Sequence, residues 1–478
     1  MCRSYLNLKR QHNRRISHSI VGHALKEFVR RTEHHPIHGE PSLSGPGAIS
    51  ALDQNQAKGG TASLRFAWML LAILFAGSVL NYLDRAVLGV LMPQVRHSLS
   101  LSNKDYGLVV NAFLLLYMVF YIVGGRISDW LGSRHSFIFN VTGWSIASML
   151  HALSQGLVSL CAFRALLGAA EGGFFPTAIR SIADWFPLSH RAKAIGILLC
   201  GMSIGSFIAP PAVAWVAVRY GWRAAFLGTG ALGFFLLLPW LLLQSRKTHP
   251  PFAVDSPAAP GPAPPHNVPI LRALWQRKYL FLLGARSITD AIWFFCLFWI
   301  PGYFQEARGF NLLQVGRLLW IPYFSADLGA LLGTWGSSAL LQRGLSLDRS
   351  RKTVLIPSAL LSLCSIGTFY AHTNSVALLC LSIALFGVFS WAGNVQSAIT
   401  EVVPQEHVAL LYGITGAVGT FLSAISQLFI GRAVDHVGYK PIFLALGSGL
   451  PLALVLVFSA GRITLWKAEN ADLQNQPS

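Results

Sequence analysis

The chain has 478 residues, 53% of them hydrophobic and only 12% charged, with a mean hydropathy of +0.51. A soluble protein carries about 25% charged residues, so these figures exclude a large soluble core and indicate a polytopic membrane protein. The formal charge of +18 does not imply nucleic acid. The excess Lys and Arg lie in the amino-terminal tail and in short loops between apolar runs, the positive-inside pattern of a membrane protein.

Residues 1 to about 64 are polar and basic, with His12, His18, His23, His34, His35 and His38 scattered among Arg and Ser. No apolar core of a secretory signal is present, and the histidine spacing matches no metal-ligand pattern. The tail reads as a disordered cytoplasmic segment or as an over-extended reading frame. Twelve apolar stretches follow, at 66–92, 106–126, 135–155, 157–180, 191–218, 223–244, 278–304, 312–341, 353–371, 375–400, 406–434 and 439–461. A bilayer crossing takes ~20 such residues, so the fold class expected is all-α with twelve transmembrane helices. The division expected is a tail at 1–64, a six-helix half at 65–245, a Pro-rich linker at 246–276, a second half at 277–462 and a tail at 463–478.

The first stretch contains Asn81-Tyr82-Leu83-Asp84-Arg85. Each charge at the centre of a membrane helix costs roughly 2.5–3.5 kcal/mol, so the pair reads as a functional site facing a watery cavity. The bland reading is a pair near the helix end reaching back to the headgroups. The next loop holds Gly125-x-x-x-Asp129-x-x-Gly132-x-Arg134. Its glycines permit a tight turn and close helix approach, and Asp129 with Arg134 can form a latch holding one gate state. The matching point of the second half, Gly333 to Gly344, lacks the acid, so a weaker latch is expected there.

In the fourth stretch Arg164 and Glu171 are seven apart and share a face two turns apart. With Asp84 and Arg85 they make two acids and two bases in the membrane. Fully ionised, the set sums to zero. With one acid protonated it is positive by one charge and matches a monoanion, so proton and anion can enter together. The competing reading is a static charge network that locks the helices. In the second half Asp290 can pair with Arg286 one turn away, and Asp327 has no assigned role. Asn394 stands among apolar residues, where an unsatisfied amide is costly. Of Trp293 and Trp299, at least one is packing or interfacial belt. Of the six cysteines, all but Cys2 lie in apolar stretches and none forms a CxxC, so neither a disulfide framework nor a metal site is expected.

Alternate loops concentrate Arg126 and Arg134, then Arg180, Arg191 and Lys193, then the linker bases, then Arg343, Arg349, Arg351 and Lys352. Both termini are therefore expected in the cytoplasm, although Glu401 and Glu406 in the loop after the tenth stretch add no support. Arg85→Ala is expected to abolish uptake of the anion, whereas Arg308→Ala, on the opposite side, is expected to be near neutral. Pro187, Ala192, Gly196 and Gly221-Trp222-Arg223-x-x-Phe226 recur as Pro404, Ala409, Gly413 and Gly438-Tyr439-Lys440-x-x-Phe443, every match offset by 217 residues. That moves six helices onto six in the same orientation, a parallel repeat with a site between the halves near the bilayer midplane.

The loop signature at 125–134 and the repeat resemble the major facilitator superfamily. Within it, N-Y-L-D-R at 81–85, R-x6-E at 164–171, Phe175-Pro176, Asp184-Trp185-Phe186-Pro187, Thr289-Asp290 with Trp293, Trp320-Ile321-Pro322-Tyr323 and Trp391-Ala-Gly393-Asn394 resemble the anion:cation symporters, and among these the hexuronate transporters. The resemblance spans nearly everything from Phe66 to Phe458.

It implies a proton-coupled symporter that imports a sugar acid, a hexuronate or aldonate or related organic monoanion. Arg85 would clamp the carboxylate bidentately. Asp84 and Glu171 would take the protons, and Arg164 would pair with Glu171. Tyr82 and Tyr117 would donate hydroxyls, and Trp293, Trp391 and Asn394 would close over the ligand. It further implies a monomer in the cell inner membrane, without cofactor, metal or enzymatic activity. Phe174 and Leu198-Leu199 stand where hexuronate carriers tend to have Asn and Phe-Asn, which leaves the particular substrate open. The alternatives are a drug or peptide exporter of the same fold, which would not need Arg85 in its cavity, a sodium-coupled organic-anion carrier, and a non-transporting membrane sensor.

Overall fold

The computed structural model describes residues 60–244, 274–403 and 408–465. Most of the tail expected at 1–64, nearly all of the linker expected at 246–276 and most of the tail expected at 463–478 lie outside these residues. The first half comprises α1 (Gly60–Val90), a short α2 (Met92–Leu99), α3 (Asn103–Leu150), α4 (Leu157–Gly172) continued after Gly173 by α5 (Phe174–Trp185), α6 (Leu188–Tyr220) and α7 (Trp222–Gln244). The second comprises α8 (Arg277–Glu306), a short α9 (Leu312–Leu318) leading into α10 (Trp320–Gln342), α11 (Leu347–Ser362) with α12 (Cys364–Tyr370), α13 (Asn374–Glu401), α14 (Val408–Val437) and α15 (Lys440–Ser459).

Ten of the described segments are long and apolar enough to span a membrane. One of them, Asn103–Leu153, is 51 residues long and spans twice, and α9–α10 adds one more, which gives the twelve spans of the sequence. The second and third stretches join through Gly132, whose φ of 74° breaks the helix inside α3 and is open to glycine at little cost. Phe174, at the position where relatives of the resemblance tend to carry Asn, is buried against Trp144 with ring centroids 5.2 Å apart. It serves the core of the first half and not a ligand.

One end of the molecule is sewn shut between the halves. Arg96 meets Glu306 at 2.8 Å, and Gln94 donates to Gln305 at 2.7 Å. Asp435 accepts from the Asn103 backbone and side chain at 3.1 and 2.8 Å and from Lys104 N–H at 2.8 Å. A Cβ on Gly89 would strike the Leu297 carbonyl oxygen, so only glycine lets α1 and α8 cross this closely. Tyr106 donates to Phe298 O at 2.8 Å and Asn111 to Ala424 O at 2.7 Å, carrying the seam toward the middle. This is the Asp435 end; α1 begins and α15 finishes at the opposite, Asp129 end. Arg308, whose loss is expected to leave uptake near normal, donates to Tyr303 Oη at 2.9 Å, to Ala371 O at 2.6 Å, to Phe369 O at 3.1 Å and to Thr368 O, capping the carbonyl end of α12.

The 217-residue offset also carries Arg134 onto Arg351 and Asp184 onto Glu401. In the first half Asp184 accepts from Ser133 Oγ at 2.7 Å. In the second, Arg351 pairs with Glu401 at 2.5 Å and donates to Ser337 Oγ at 2.7 Å and Asn394 Oδ1 at 3.2 Å. The weaker second latch expected from the loop is thus corrected: its acid comes from the end of α13.

Candidate functional site

Asn81 and Arg85 lie one turn apart on α1, and Arg85 Nη2 donates to Asn81 Oδ1 at 3.1 Å. Arg85 Nε and Nη2 both donate to Glu171 Oε2, at 3.2 and 3.0 Å. The two side chains are 1% and 0% exposed, so the pair is fully desolvated. Breaking such a pair strands a charge at a cost of ~3–5 kcal/mol. Around the guanidinium stand the rings of Tyr117, Tyr82 and Phe113, at 4.5, 4.6 and 5.3 Å from Cζ to centroid. Tyr117 is buried and acts here as part of an aromatic box for the cation.

Asp84 leaves the helix on a different side from its neighbour and accepts from Ser148 Oγ at 2.9 Å; that hydroxyl lies 3.1 Å from Thr229 Oγ1. Arg164 is fully buried, 5.6 Å from the Phe113 centroid, and interacts electrostatically with Glu171, Asp84 and Arg85. All four ionisable residues singled out in the sequence are therefore in one buried cluster of the first half. Their partnership differs from the expectation in one respect. Glu171 bonds Arg85, and Arg164 Nε, Nη1 and Nη2 have no hydrogen-bond partner among the described residues. Seven residues along a helix separate two groups by ~10 Å of rise, and Arg85 arrives from α1 at closer range.

Beside the cluster, between the halves, lies a cavity of about 200 Å³. Tyr82, Ser203 and Ser206 line it from the first half, and Arg286, Asp290, Trp293, Asp327 and Gln396 from the second. Tyr82 has one side toward this space and the other over Arg85, so it is the wall between cavity and cation. Trp293 lines the cavity, its ring held edge-on to Phe389 at 4.8 Å. Trp299 is packing: it is fully buried and donates to Gln427 Oε1 at 2.7 Å. Arg286 Nε reaches both oxygens of Asp290, at 2.9 and 3.0 Å.

Trp391 and Asn394, expected to close over a ligand, are both fully buried and stand outside the cavity lining. The Trp391 indole donates to Thr289 Oγ1 at 3.0 Å. The Asn394 amide donates to Ser390 O at 2.9 Å and Gly333 O at 3.2 Å. Both spend their polar atoms on helix-to-helix bonds. The latch is also rewired. Asp129 pairs with Arg180 from α5, whereas Arg134 is exposed and forms no ion pair among the described residues. Sequence reasoning missed Ser203, Ser206, Gln396 and Ser148. The signal for the first two was their three-residue spacing, which puts both hydroxyls on one face of α6. No group of residues able to hold a metal ion occurs among the described residues.

The family model of the Major Facilitator Superfamily matches residues 74–425. The chain is 28% identical over 430 residues to the D-galactonate transporter of Escherichia coli O6:H1, covering 86% of this chain and 95% of that one. It is 28% identical over 424 residues to the hexuronate transporter of Escherichia coli strain K12, again covering 86% and 95%. Among solved structures, the crystal structure of a D-xylose-proton symporter superposes with a TM-score of 0.68 at 16% identity, covering 84% of this chain and 100% of that one.

Proposed function

The chain belongs to the major facilitator superfamily of membrane transporters, and on that premise we propose that it is a proton-coupled symporter importing a sugar acid by alternating access. The observation that carries this reading is the dehydrated Arg85–Glu171 pair behind Tyr82. A guanidinium is suited to hold a carboxylate bidentately. Here it already holds one, that of Glu171. A ligand carboxylate can take Arg85 only when Glu171 lets go, and a proton on Glu171 makes it let go without leaving a buried charge unpaired. Proton and anion then enter in one electroneutral step, and Asp84, held by Ser148, offers a second proton site beside the first.

The names of the galactonate and hexuronate relatives support a sugar acid as cargo. The hydroxyl, amide and indole groups on the cavity wall suit its polyol part. In this reading the seam at the Asp435 end is the closed outer gate. The Asp129 end and both termini face the cytoplasm, and the protein acts as a monomer in the inner membrane. Rocking of one half against the other exposes the site to the two sides in turn.

Proteoliposomes loaded at neutral pH test this directly. Labelled D-galactonate or D-glucuronate should accumulate when the outside is acidified, equally with choline in place of sodium, and methyl esterification of the carboxylate should abolish recognition. Accumulation that follows sodium, or indifference to esterification, would overturn the proposal.

A further inference from the structure

Asp327 was left without a role by the sequence. It sits on α10 one turn after Tyr323, whose hydroxyl donates to Cys296 O at 2.9 Å and fixes α10 against α8. That anchoring turns Asp327 into the central cavity, where its polar neighbour is Ser203 from the other half. The cavity wall of the second half carries three charged groups: Arg286, Asp290 and Asp327. Arg286 and Asp290 neutralise each other in a pair at 2.9 Å. Asp327 has no cationic partner among the described residues, so this wall is negative by one charge. The donors on the same wall are the Arg286 Nη1 atom, which has no acceptor among the described residues, and the amide of Gln396, whose oxygen already accepts from Tyr412 Oη at 2.7 Å.

The two poles of the site therefore have opposite character. The Arg85 pole seeks a carboxylate. The Asp327 pole offers an acceptor-only carboxylate beside neutral-paired donors, which suits vicinal hydroxyls and repels a second anion. We infer that Asp327 reads the far end of the substrate, accepting hydrogen bonds from its hydroxyls and turning away a second carboxylate. The carrier thus takes aldonates and uronates in preference to aldarates with the same carbon chain. This rests on the sugar-acid reading above and assigns the other wall of that same site.

D-galactonate and galactarate differ only in whether the last carbon is an alcohol or an acid; D-glucuronate and D-glucarate differ at C1, an aldehyde closed as a ring hemiacetal in one and an acid in the other. In exchange assays on the wild-type protein, the mono-acid of each pair should compete with labelled mono-acid at least tenfold better than the di-acid. Asp327→Asn, of the same size, should narrow that ratio about tenfold, chiefly by admitting the di-acid, with monodisperse elution in detergent confirming a folded carrier. A wild-type preference for the di-acids overturns the inference and leaves the sugar-acid reading standing, as does an Asp327→Asn variant that changes both ligands alike. Failure to carry any of the four overturns both. The wild-type competition alone decides the matter if the variant does not fold.

Discussion

Replacing Glu171 by glutamine removes the charge that occupies Arg85 while keeping the side chain's size. The pair is fully buried at 3.0 Å, and stranding one member of such a pair costs ~3–5 kcal/mol. The glutamine oxygen returns one hydrogen bond, worth about 1 kcal/mol, and Asn81 keeps its own bond to Arg85. The unliganded variant is therefore left about 2–4 kcal/mol less stable, and a ligand carboxylate at Arg85 recovers that energy. At 1.4 kcal/mol per factor of ten, the variant should bind a sugar acid roughly 30- to 700-fold more tightly than the wild type at neutral pH. Titration of purified carrier in detergent measures this. Wild-type affinity should tighten as the pH falls, because the proton does the work of removing Glu171; the variant should be nearly flat. Thermal unfolding gives an independent reading: a lower midpoint without ligand and a larger rise with it. In proteoliposomes the variant should exchange ligand but not accumulate it against a gradient. Weaker binding, or a pH dependence like that of the wild type, would refute the reasoning.

Arg308→Ala should lower stability by roughly 2–4 kcal/mol, since it uncaps several carbonyls at once at the end of α12, while leaving the transport KM unchanged; thermal melting and uptake kinetics check the two halves of that statement. Gly89→Leu places a side chain against the Leu297 carbonyl and should abolish transport in a carrier that still elutes as a folded species, because the Asp435 end can no longer close. Asp435→Asn keeps the geometry but weakens three hydrogen bonds across the seam. A loss of ~1 kcal/mol shifts the two-state balance about fivefold, which should appear as faster maleimide labelling of a cysteine introduced at Ser206 from that side.

The spans were legible because a bilayer demands long apolar runs, and α1 was legible as the site because Asp84 and Arg85 interrupt one. Asp84 and Arg85 stood out by cost, and Arg164 and Glu171 by a seven-residue spacing that puts them on one face. Which charge meets which was not legible, since it depends on how α1 and α4 are rotated against each other. Asn394 misled for a related reason. An amide among apolar residues is costly unless bonded, but a ligand and the carbonyls of Gly333 and Ser390 relieve that cost equally well. The second latch escaped because Glu401 lies 50 residues from Arg351 and outside the loop that the signature occupies. Asp327 was visible as a charge in an apolar stretch, and only the packing of Tyr323 on α8 gave it a direction.

Each half carries an ion pair at the Asp129 end, at positions that the 217-residue offset does not match, and the two are unequally shielded. The ion pair of the first half has its aspartate 68% exposed, whereas the arginine and glutamate of the second are 11% and 17% exposed. At physiological ionic strength the Debye length is about 8 Å, and exposed pairs are screened more than buried ones, so salt weakens the first attachment more than the second. One footing of this two-legged machine is therefore more sensitive to electrolyte than the other. Ions bathing that end can retime the stroke of a single leg while the cargo chamber stays as it is.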